Sequence, residues 1–269
     1  MNSDVIDANR RVHSNLILSG EYQRSPHKTR QNVIRVNSEL SKFNLKKPGI
    51  THLDIGCGDG FIFECRPLNW ISHGIDATPE MLKICTNNYQ DVVLKEGIAE
   101  LLPYEDESFD VVTCYSFLDH LESTERFYFE AMRVLKPGGN FYFGLSPNRS
   151  FYNELMQSKD FELSEILNSK IDLVLELQKA FDDGTYYEEN FGINKYDLIK
   201  CEPGKSIKKG LSPKEECSKL KKIGASKIKI KYDWVFQQNK IDTKTIKTLI
   251  DFLPFTSPCF KYFDIIGSK

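Results

Sequence analysis

The chain is expected to form an α/β fold: a mostly parallel sheet with helices on both faces and a helical insertion. Three observations predict it. Short apolar, β-branched runs alternate with helix-like segments from residue 50 to about 146. A glycine-rich turn follows the first of these runs. The alternation then stops after Ser146, Pro147 and Asn148 and resumes only near Ser212, which marks an insertion.

Residues 1–45 read as polar and helical, broken near Ser25 and Pro26, with Val33, Val36, Leu40 and Phe43 at helical spacing beyond the break. This segment is expected to lie over the first strand. Lys47, Pro48 and Gly49 introduce an apolar run over 50–55 that suits a buried parallel strand. A second strand is expected over 71–75, a helix over 79–87, a third strand over 91–95 and a fourth over 109–115. A helix over 122–135, a turn at 136–139 and a fifth strand over 140–145 follow. Strands separated by helices imply right-handed crossovers and a parallel sheet.

Residues 150–182 carry Leu163, Ile166, Leu167, Ile171, Leu173, Val174, Leu177 and Phe181 near helical spacing, followed by an aromatic loop with Tyr186, Tyr187 and Phe191. The order Ser212, Pro213, Lys214, Glu215 suits an N-cap, a first-turn proline and a capping-box acid, and Gly224 a stop. Strands over 227–236 and 262–266 would close the sheet, and the apolar cluster Ile246, Leu249, Ile250, Phe252, Leu253 and Phe255 would join the core. The expected division is therefore a helical cover (1–45), a core (46–149 and 206–269) and a cap insertion (150–205).

Composition narrows the function. Hydrophobic residues make up 40% and charged residues 28% of 269, near globular averages. No run reaches the roughly 18 apolar residues of a membrane span, and the start lacks the plan of a signal peptide, so a cytoplasmic location is expected. Seven scattered cysteines without a C-x-x-C pair argue against a disulfide framework or a zinc site, and no clustered acidic set suggests a metal. A net charge of −2 disfavours general nucleic-acid binding and favours small substrates. Lysines dominate residues 205–231 against Glu215 and Glu216 alone, either as a solvated face or to steer an anionic substrate.

The strongest chemical signal is Leu53-Asp54-Ile55-Gly56-Cys57-Gly58-Asp59-Gly60, where the first strand should end and a helix begin. Glycines there let the backbone approach a ligand at a distance that a Cβ forbids. The next strand ends in Asp76, where a carboxylate can accept two ribose hydroxyls. Just past the fourth strand, Asp119 and His120 are the best-placed candidates for a general base, with a helix-capping role for His120 as the alternative.

With the segment around Glu96 to Tyr104, the strand at 109–112 and the run from Arg133 to Gly139, these landmarks make residues 45–150 resemble the class I S-adenosylmethionine-dependent methyltransferases, within the group sharing a ubiquinone/menaquinone-methyltransferase-like core. The resemblance implies a Rossmann-like methyltransferase fold with a seven-stranded sheet and S-adenosyl-L-methionine as cofactor. It implies that Asp54, Gly56, Cys57, Gly58 and Gly60 form the cofactor turn, that Asp76 and Ala77 meet the ribose, and that Ile98 and Ala99 edge the adenine. The position of Ile98 is usually acidic in the group, so that contact would fall to Glu100 or water. Cys114 and Tyr115 would line the methionine and the methyl group. Tyr22 and His27 would close over the methionine end, Arg30 would meet its carboxylate, and Tyr186 and Tyr187 would wall the substrate.

The expected reaction is methyl transfer to a small-molecule or sugar acceptor, foremost O-methylation. N- or C-methylation of a small metabolite or quinone-like ring is the alternative. An RNA- or protein-binding methyltransferase is a third reading, favoured only if the lysine-rich stretch flanks the cofactor cleft.

Overall fold

The computed structural model describes residues 3–20, 22, 27–43, 49–151, 153, 184–206, 210–233 and 260–269. The apolar cluster at 246–255, the turn at Ser25 and Pro26 and nearly all of the helical pattern at 150–182 lie outside them. Seven strands form one sheet in the order β3-β2-β1-β4-β5-β7-β6. In chain order these are β1 (Ile50–Ile55), β2 (Trp70–Asp76), β3 (Val93–Glu96), β4 (Phe109–Tyr115), β5 (Leu135–Pro147), β6 (Ser226–Asp233) and β7 (Tyr262–Ser268). The first five pair in parallel, and β7 runs antiparallel to both β5 and β6. The strand order reverses at β1, between β2 and β4, and a cleft at the carboxyl ends of such strands is where open α/β sheets take ligands.

The sheet is covered on both faces because its strands alternate two apolar sides. Leu53, Ile55, Val112, Cys114, Phe141 and Phe143 share one core with Phe127, Tyr128 and Met132 of α5 (Thr124–Val134). Ile50, Val111, Tyr115 and Tyr142 share the other with Val36 and Leu40 of α2 (Arg30–Leu40) and Ile62 of α3 (Phe61–Cys65). The helical spacing of Val36, Leu40 and Phe43 thus buries one stripe of α2 against the sheet, and Thr29 caps its start by accepting from the Asn32 amide. Helix α4 (Pro79–Asn88) links β2 to β3.

The remaining helices, α1 (Ser3–Leu18), α6 (Thr185–Phe191), α7 (Lys195–Cys201) and α8 (Pro203–Ser206), cluster apart from this core. Val12, Ile193 and Cys201 are buried together among them. Arg10 reaches from α1 to the Ala77 carbonyl (2.7 Å) and Glu96 (2.7 Å), and Arg11 makes a bidentate pair with Asp197. Helix α9 (Pro213–Lys222) starts as its sequence predicts, with the Ser212 hydroxyl accepting from the Glu215 amide, and Gly224 follows it in a left-handed conformation. No helix among the described residues is long and apolar enough to cross a membrane.

Among the boundaries that differ from the sequence expectation, two have identifiable reasons. Strand β5 begins at Leu135, not Asn140, because Leu135 pairs with Phe109 and the 136–139 turn is stitched to the chain end. Gly138 donates to the Lys269 carbonyl and Lys269 donates back to Gly139. Strand β3 starts two residues later than expected, at Val93, where pairing with His73 begins. In the lysine-rich stretch Lys219 pairs with Glu216 and Lys231 with Glu39, and Lys205 is the one of its described lysines that lines the cavity discussed below.

Inside β1, His52 is fully buried between Ser72 (3.1 Å) and Thr113 (2.8 Å), and burial pushes its pKa down to about 3. An unfolded imidazole protonates near its ordinary pKa of roughly 6.5. Between those values the unfolded state binds the extra proton, so the stability present above pH 6.5 is lost as pH falls. On going from pH 7 to pH 5, urea unfolding should show the parent losing about 2 kcal/mol more than the His52→Gln variant. Equal losses would remove His52 as the acid-sensitive element.

Candidate functional site

The site begins where β1 stops. Gly56 (φ 68°) and Gly58 (φ 51°) turn the chain through left-handed backbone that other residues rarely adopt. The Gly56 and Cys57 amides both donate to the Ile75 carbonyl at the end of β2 (2.8 and 3.1 Å), so the turn is tied to the neighbouring strand. A Cβ on Gly56 would lie 2.2 Å from the ring of Phe117, and one on Gly58 would lie 3.0 Å from the Tyr22 hydroxyl. The ends of β1, β2 and β4 therefore meet around one point.

A cavity of about 340 Å³ opens there. Asp54, Gly56, Cys57, Gly58, Asp76, Ala77, Ile98, Ala99 and Tyr115 all line it, as do Tyr22, His27 and Tyr187 from the segments above. Asp76 is half-buried, with its Oδ2 accepting from the Gly58 amide (2.9 Å) and its Oδ1 from the Thr78 amide (2.8 Å). Burial raises its pKa, and those two amides oppose the rise. Each oxygen keeps a lone pair for a further donor.

Asp54 is reached by a buried chain. The hydroxyl of Thr113 donates to Asp54 Oδ1 (2.6 Å), which leaves Thr113 Oγ1 to accept from His52 Nε2 and His52 Nδ1 to accept from Ser72. Burial pushes the Asp54 carboxyl up to about 8 against the pull of Thr113. A buried carboxyl held near neutrality beside a cavity favours a ligand that brings positive charge.

Beyond β4, Ser116 adopts a left-handed conformation (φ 51°) with its amide on the Gly144 carbonyl, a costly shape for a residue with a side chain. It turns the chain into a short 3₁₀ helix, Leu118–His120, which sets Asp119 and His120 on the cavity wall. Asp119 is 6% exposed, and its Oδ1 has no hydrogen-bond partner among the described residues. Burial raises its pKa, with His120 and Lys205 opposing. His120 Nδ1 faces two acceptors, Asn9 Oδ1 (2.9 Å) and the Cys201 carbonyl (3.1 Å), so it carries the proton. In the neutral ring Nε2 carries the lone pair, and it lies 4.0 Å from Glu202 Oε1, with which it forms an ion pair when the ring is protonated. Lys205 and His120 hold the Glu202 carboxyl down at about 2 against the opposing effect of burial, and Lys205 Nζ lies 2.9 Å from its Oε2.

Several expectations need correction. Arg30 is exposed at the start of α2 and is not part of the lining; Lys28, two residues earlier, is, and it pairs with Asp59 and sits 3.9 Å over the Tyr22 ring. Gly60 serves packing instead of the cavity, since a Cβ there would lie 2.5 Å from the Tyr89 ring. Cys114 faces the core on the side opposite Tyr115, as neighbouring strand residues must, so it lines nothing. Glu100 also stays out of the lining. The side chain of Tyr186 lies outside the described residues.

Asn9, His13, Lys28, Phe117, Glu202 and Lys205 line the cavity unannounced by the sequence analysis. Glu202 and Asn9 reach His120 only through tertiary packing, so no local pattern signals them. Ser116 and Phe117 directly follow Tyr115, and the end of a central strand was a reason to include them.

Residues 53–143 match the model of the family described as Methyltransferase domain. The demethylmenaquinone methyltransferase of Chlorobaculum parvum is 41% identical over 97 residues, 36% of this chain and 40% of that protein. The ubiquinone biosynthesis O-methyltransferase of Coxiella burnetii is 28% identical over 104 residues, 37% and 44% of the two chains. In each case the chain spans about two fifths of the length of the curated relative it matches. A SAM-dependent methyltransferase from Archaeoglobus fulgidus shares the fold with a TM-score of 0.54 at 18% identity, over 92% of this chain and 99% of that one.

The clash built into the turn is measurable. Gly56→Ala should destabilise the chain by about 1–3 kcal/mol through its backbone strain and the Phe117 contact. Combined with Phe117→Ala, the total cost in urea unfolding should fall short of the sum of the single costs by about 0.5 kcal/mol or more. Strict additivity would mean that Phe117 does not close on the turn.

Proposed function

We propose, starting from a chain that carries a class I S-adenosylmethionine-dependent methyltransferase domain in a Rossmann-like fold, that the whole protein methylates a heteroatom of a small-molecule acceptor. The observation that carries this reading is the pairing of the half-buried Asp76 carboxylate with the left-handed glycine turn at the switch point of the sheet.

The residues present fit S-adenosylmethionine. Asp76 has two lone pairs for the ribose hydroxyls, Ile98 and Ala99 offer an apolar edge for the adenine, and Asp54 favours a cationic ligand. Tyr115 lines the same cavity, with its hydroxyl held by Asn32 (2.6 Å) and Arg35 (3.2 Å). The cofactor would supply an electrophilic methyl group on a sulfonium. The protein's own work is to hold acceptor and cofactor in line and dry, an effect worth on the order of 7–11 kcal/mol in well-oriented systems.

The acceptor end is the wall formed by Asp119, His120 and Glu202. A hydroxyl or amine nucleophile has to lose a proton there, and His120 Nε2 is the group that takes it, because Nδ1 is committed to Asn9 and Cys201. O-methylation, of a sugar or another hydroxyl compound, and N-methylation both meet this description. Methylation of a quinone-ring carbon draws support from the demethylmenaquinone relative, but two acids and a histidine on the wall are an unsuitable surface for an apolar ring. The described parts of the amino-terminal segment act as a cover and residues 184–205 as a cap: Asn9, His13 and Tyr22 from the first and Tyr187, Glu202 and Lys205 from the second line one cavity, which supports that division.

Two substitutions separate binding from chemistry. In calorimetry, Asp76→Ala should weaken S-adenosylmethionine binding by roughly 1.5–3 kcal/mol, and unchanged affinity would remove Asp76 from the ribose. His120→Ala should leave that affinity nearly intact and lower the single-turnover rate about 10²-fold or more. A variant that keeps most of its rate would return His120 to a structural role.

A further inference from the structure

We propose that His13 is an acceptor-binding residue, whose Nε2 accepts a hydrogen bond from an O–H or N–H group of the molecule to be methylated. The inference rests on the methyltransferase reading above and deepens it by naming a contact that the amino-terminal helix makes with the acceptor.

Helix α1 turns one face to the cavity. Ile6, Asn9, His13 and Leu16 recur there at helical spacing, and all four line it. Neighbouring side chains hold that face in place. Arg10 bonds to the Ala77 carbonyl and Glu96, and Arg11 pairs with Asp197 of α7. Asn9 Nδ2 donates to the Val5 and Cys201 carbonyls (2.9 and 3.1 Å). The His13 ring then stands 6.2 Å from the ring of Tyr22 and 5.2 Å from that of His120, centroid to centroid. Tyr22 reaches the glycine turn at Gly58, and His120 ends the 3₁₀ turn. His13 therefore lies between the cofactor turn and the acceptor wall, beside the space that an acceptor has to occupy.

The helix itself selects the nitrogen that can act. His13 Nδ1 lies 2.9 Å from the Asn9 carbonyl one turn earlier, and a carbonyl only accepts, so Nδ1 carries the ring proton and Nε2 the lone pair. Nε2 makes no hydrogen bond among the described residues. Ile6 and Leu16 bring no polar side chain, and the Asn9 amide is engaged by Val5, Cys201 and His120. Around the ring stand Tyr22 from the cover, His120 from the 3₁₀ turn, Cys201 from α7 and Glu202 just before α8. Burial, with His120, pushes the imidazole down to about 4 against the pull of Asn9 and Glu202. The ring is then neutral at pH 7 and presents a lone pair. An oxygen anion has no proton to share with it, so the contact selects a donor. An imidazole so weak as a base does not keep the proton it is offered; it orients the attacking oxygen or nitrogen and leaves deprotonation to His120.

A metal ion is the competing occupant, because ring nitrogens of His13 and His120 and the Cys201 sulfur lie within 4.8 Å of one another. The thiol does not fit that role. It donates to Asn9 Oδ1 (3.3 Å), and burial pushes its pKa well above the ordinary value, whereas a metal takes the thiolate.

The test uses the full chain loaded with S-adenosylhomocysteine, whose affinity is measured first by calorimetry. The ¹⁵N signals of the His13 ring are recorded from pH 6 to pH 8, then during titration with phenol, methyl glucoside and aniline, three donors of different shape. Anisole, shaped like phenol but without its O–H, is the control. The ring should stay in the Nδ1–H form across the pH range, and at least one donor should move Nε2 upfield saturably while anisole does not. His13→Phe should weaken that donor about tenfold, and His13→Gln, which restores an acceptor oxygen, should recover part of the loss. Retained S-adenosylhomocysteine affinity checks the folding of both variants. A proton on Nε2, a ring that titrates near the ordinary value of roughly 6.5, no saturable shift with any donor, or undiminished donor affinity in His13→Phe overturns the inference. So does a tighter response of the ring to zinc chloride than to every donor, which would assign the cluster to a metal. Failure of S-adenosylhomocysteine to bind at all would instead defeat the methyltransferase reading, and this inference with it.

Discussion

The turn between β1 and α3 is the constraint on which the site depends. Gly56 and Gly58 place the backbone in left-handed conformations, and three separate elements close on the space their missing side chains leave. Phe117, from beyond β4, lies where a Gly56 Cβ would be, Tyr22 approaches Gly58 from the amino-terminal segment, and Asp76 takes the Gly58 amide. The same turn therefore brings the ends of β1, β2 and β4 to one cavity. A side chain at Gly56 would push Phe117 away, and with it the turn that carries Asp119 and His120.

Polar groups on the cavity wall are held from behind by buried partners. Ser72, His52 and Thr113 form a directed hydrogen-bond chain whose last donor ends on Asp54, and Asn9 and the Cys201 carbonyl fix the His120 tautomer. Such support keeps a site preorganised, because its groups need not reorient when charge arrives. Farther off, Arg133 donates to the Tyr104 and Leu102 carbonyls and pairs with Glu130, which accepts from the Leu102 amide. This knot fixes the loop that follows Ile98 and Ala99, and it gives Arg133, one of the landmarks of the sequence, a structural reason.

Legibility followed locality. Strand β4 was read at its observed bounds, and the N-cap at Ser212 was read correctly, because alternation and capping are written in adjacent residues. The glycine turn and Asp76 were legible for the same reason, and both line the cavity. Arg30 stands exposed at the first position of α2, outside the lining, whereas Lys28 and Lys205 line the cavity. Cys114 was misplaced although the period of a strand opposes it to Tyr115. Glu202 and Asn9 were invisible, since each meets His120 through packing between segments far apart in the chain.

The central claim is that this convergence binds a nucleoside cofactor with its reactive sulfur toward the Asp119 and His120 wall. A crystal structure of the chain with S-adenosylhomocysteine tests it most directly. The account predicts the ribose hydroxyls on Asp76, the adenine along Ile98 and Ala99, and the sulfur facing the 3₁₀ turn Leu118–His120. A nucleoside bound away from Asp76, or one whose sulfur points away from that turn, would contradict it.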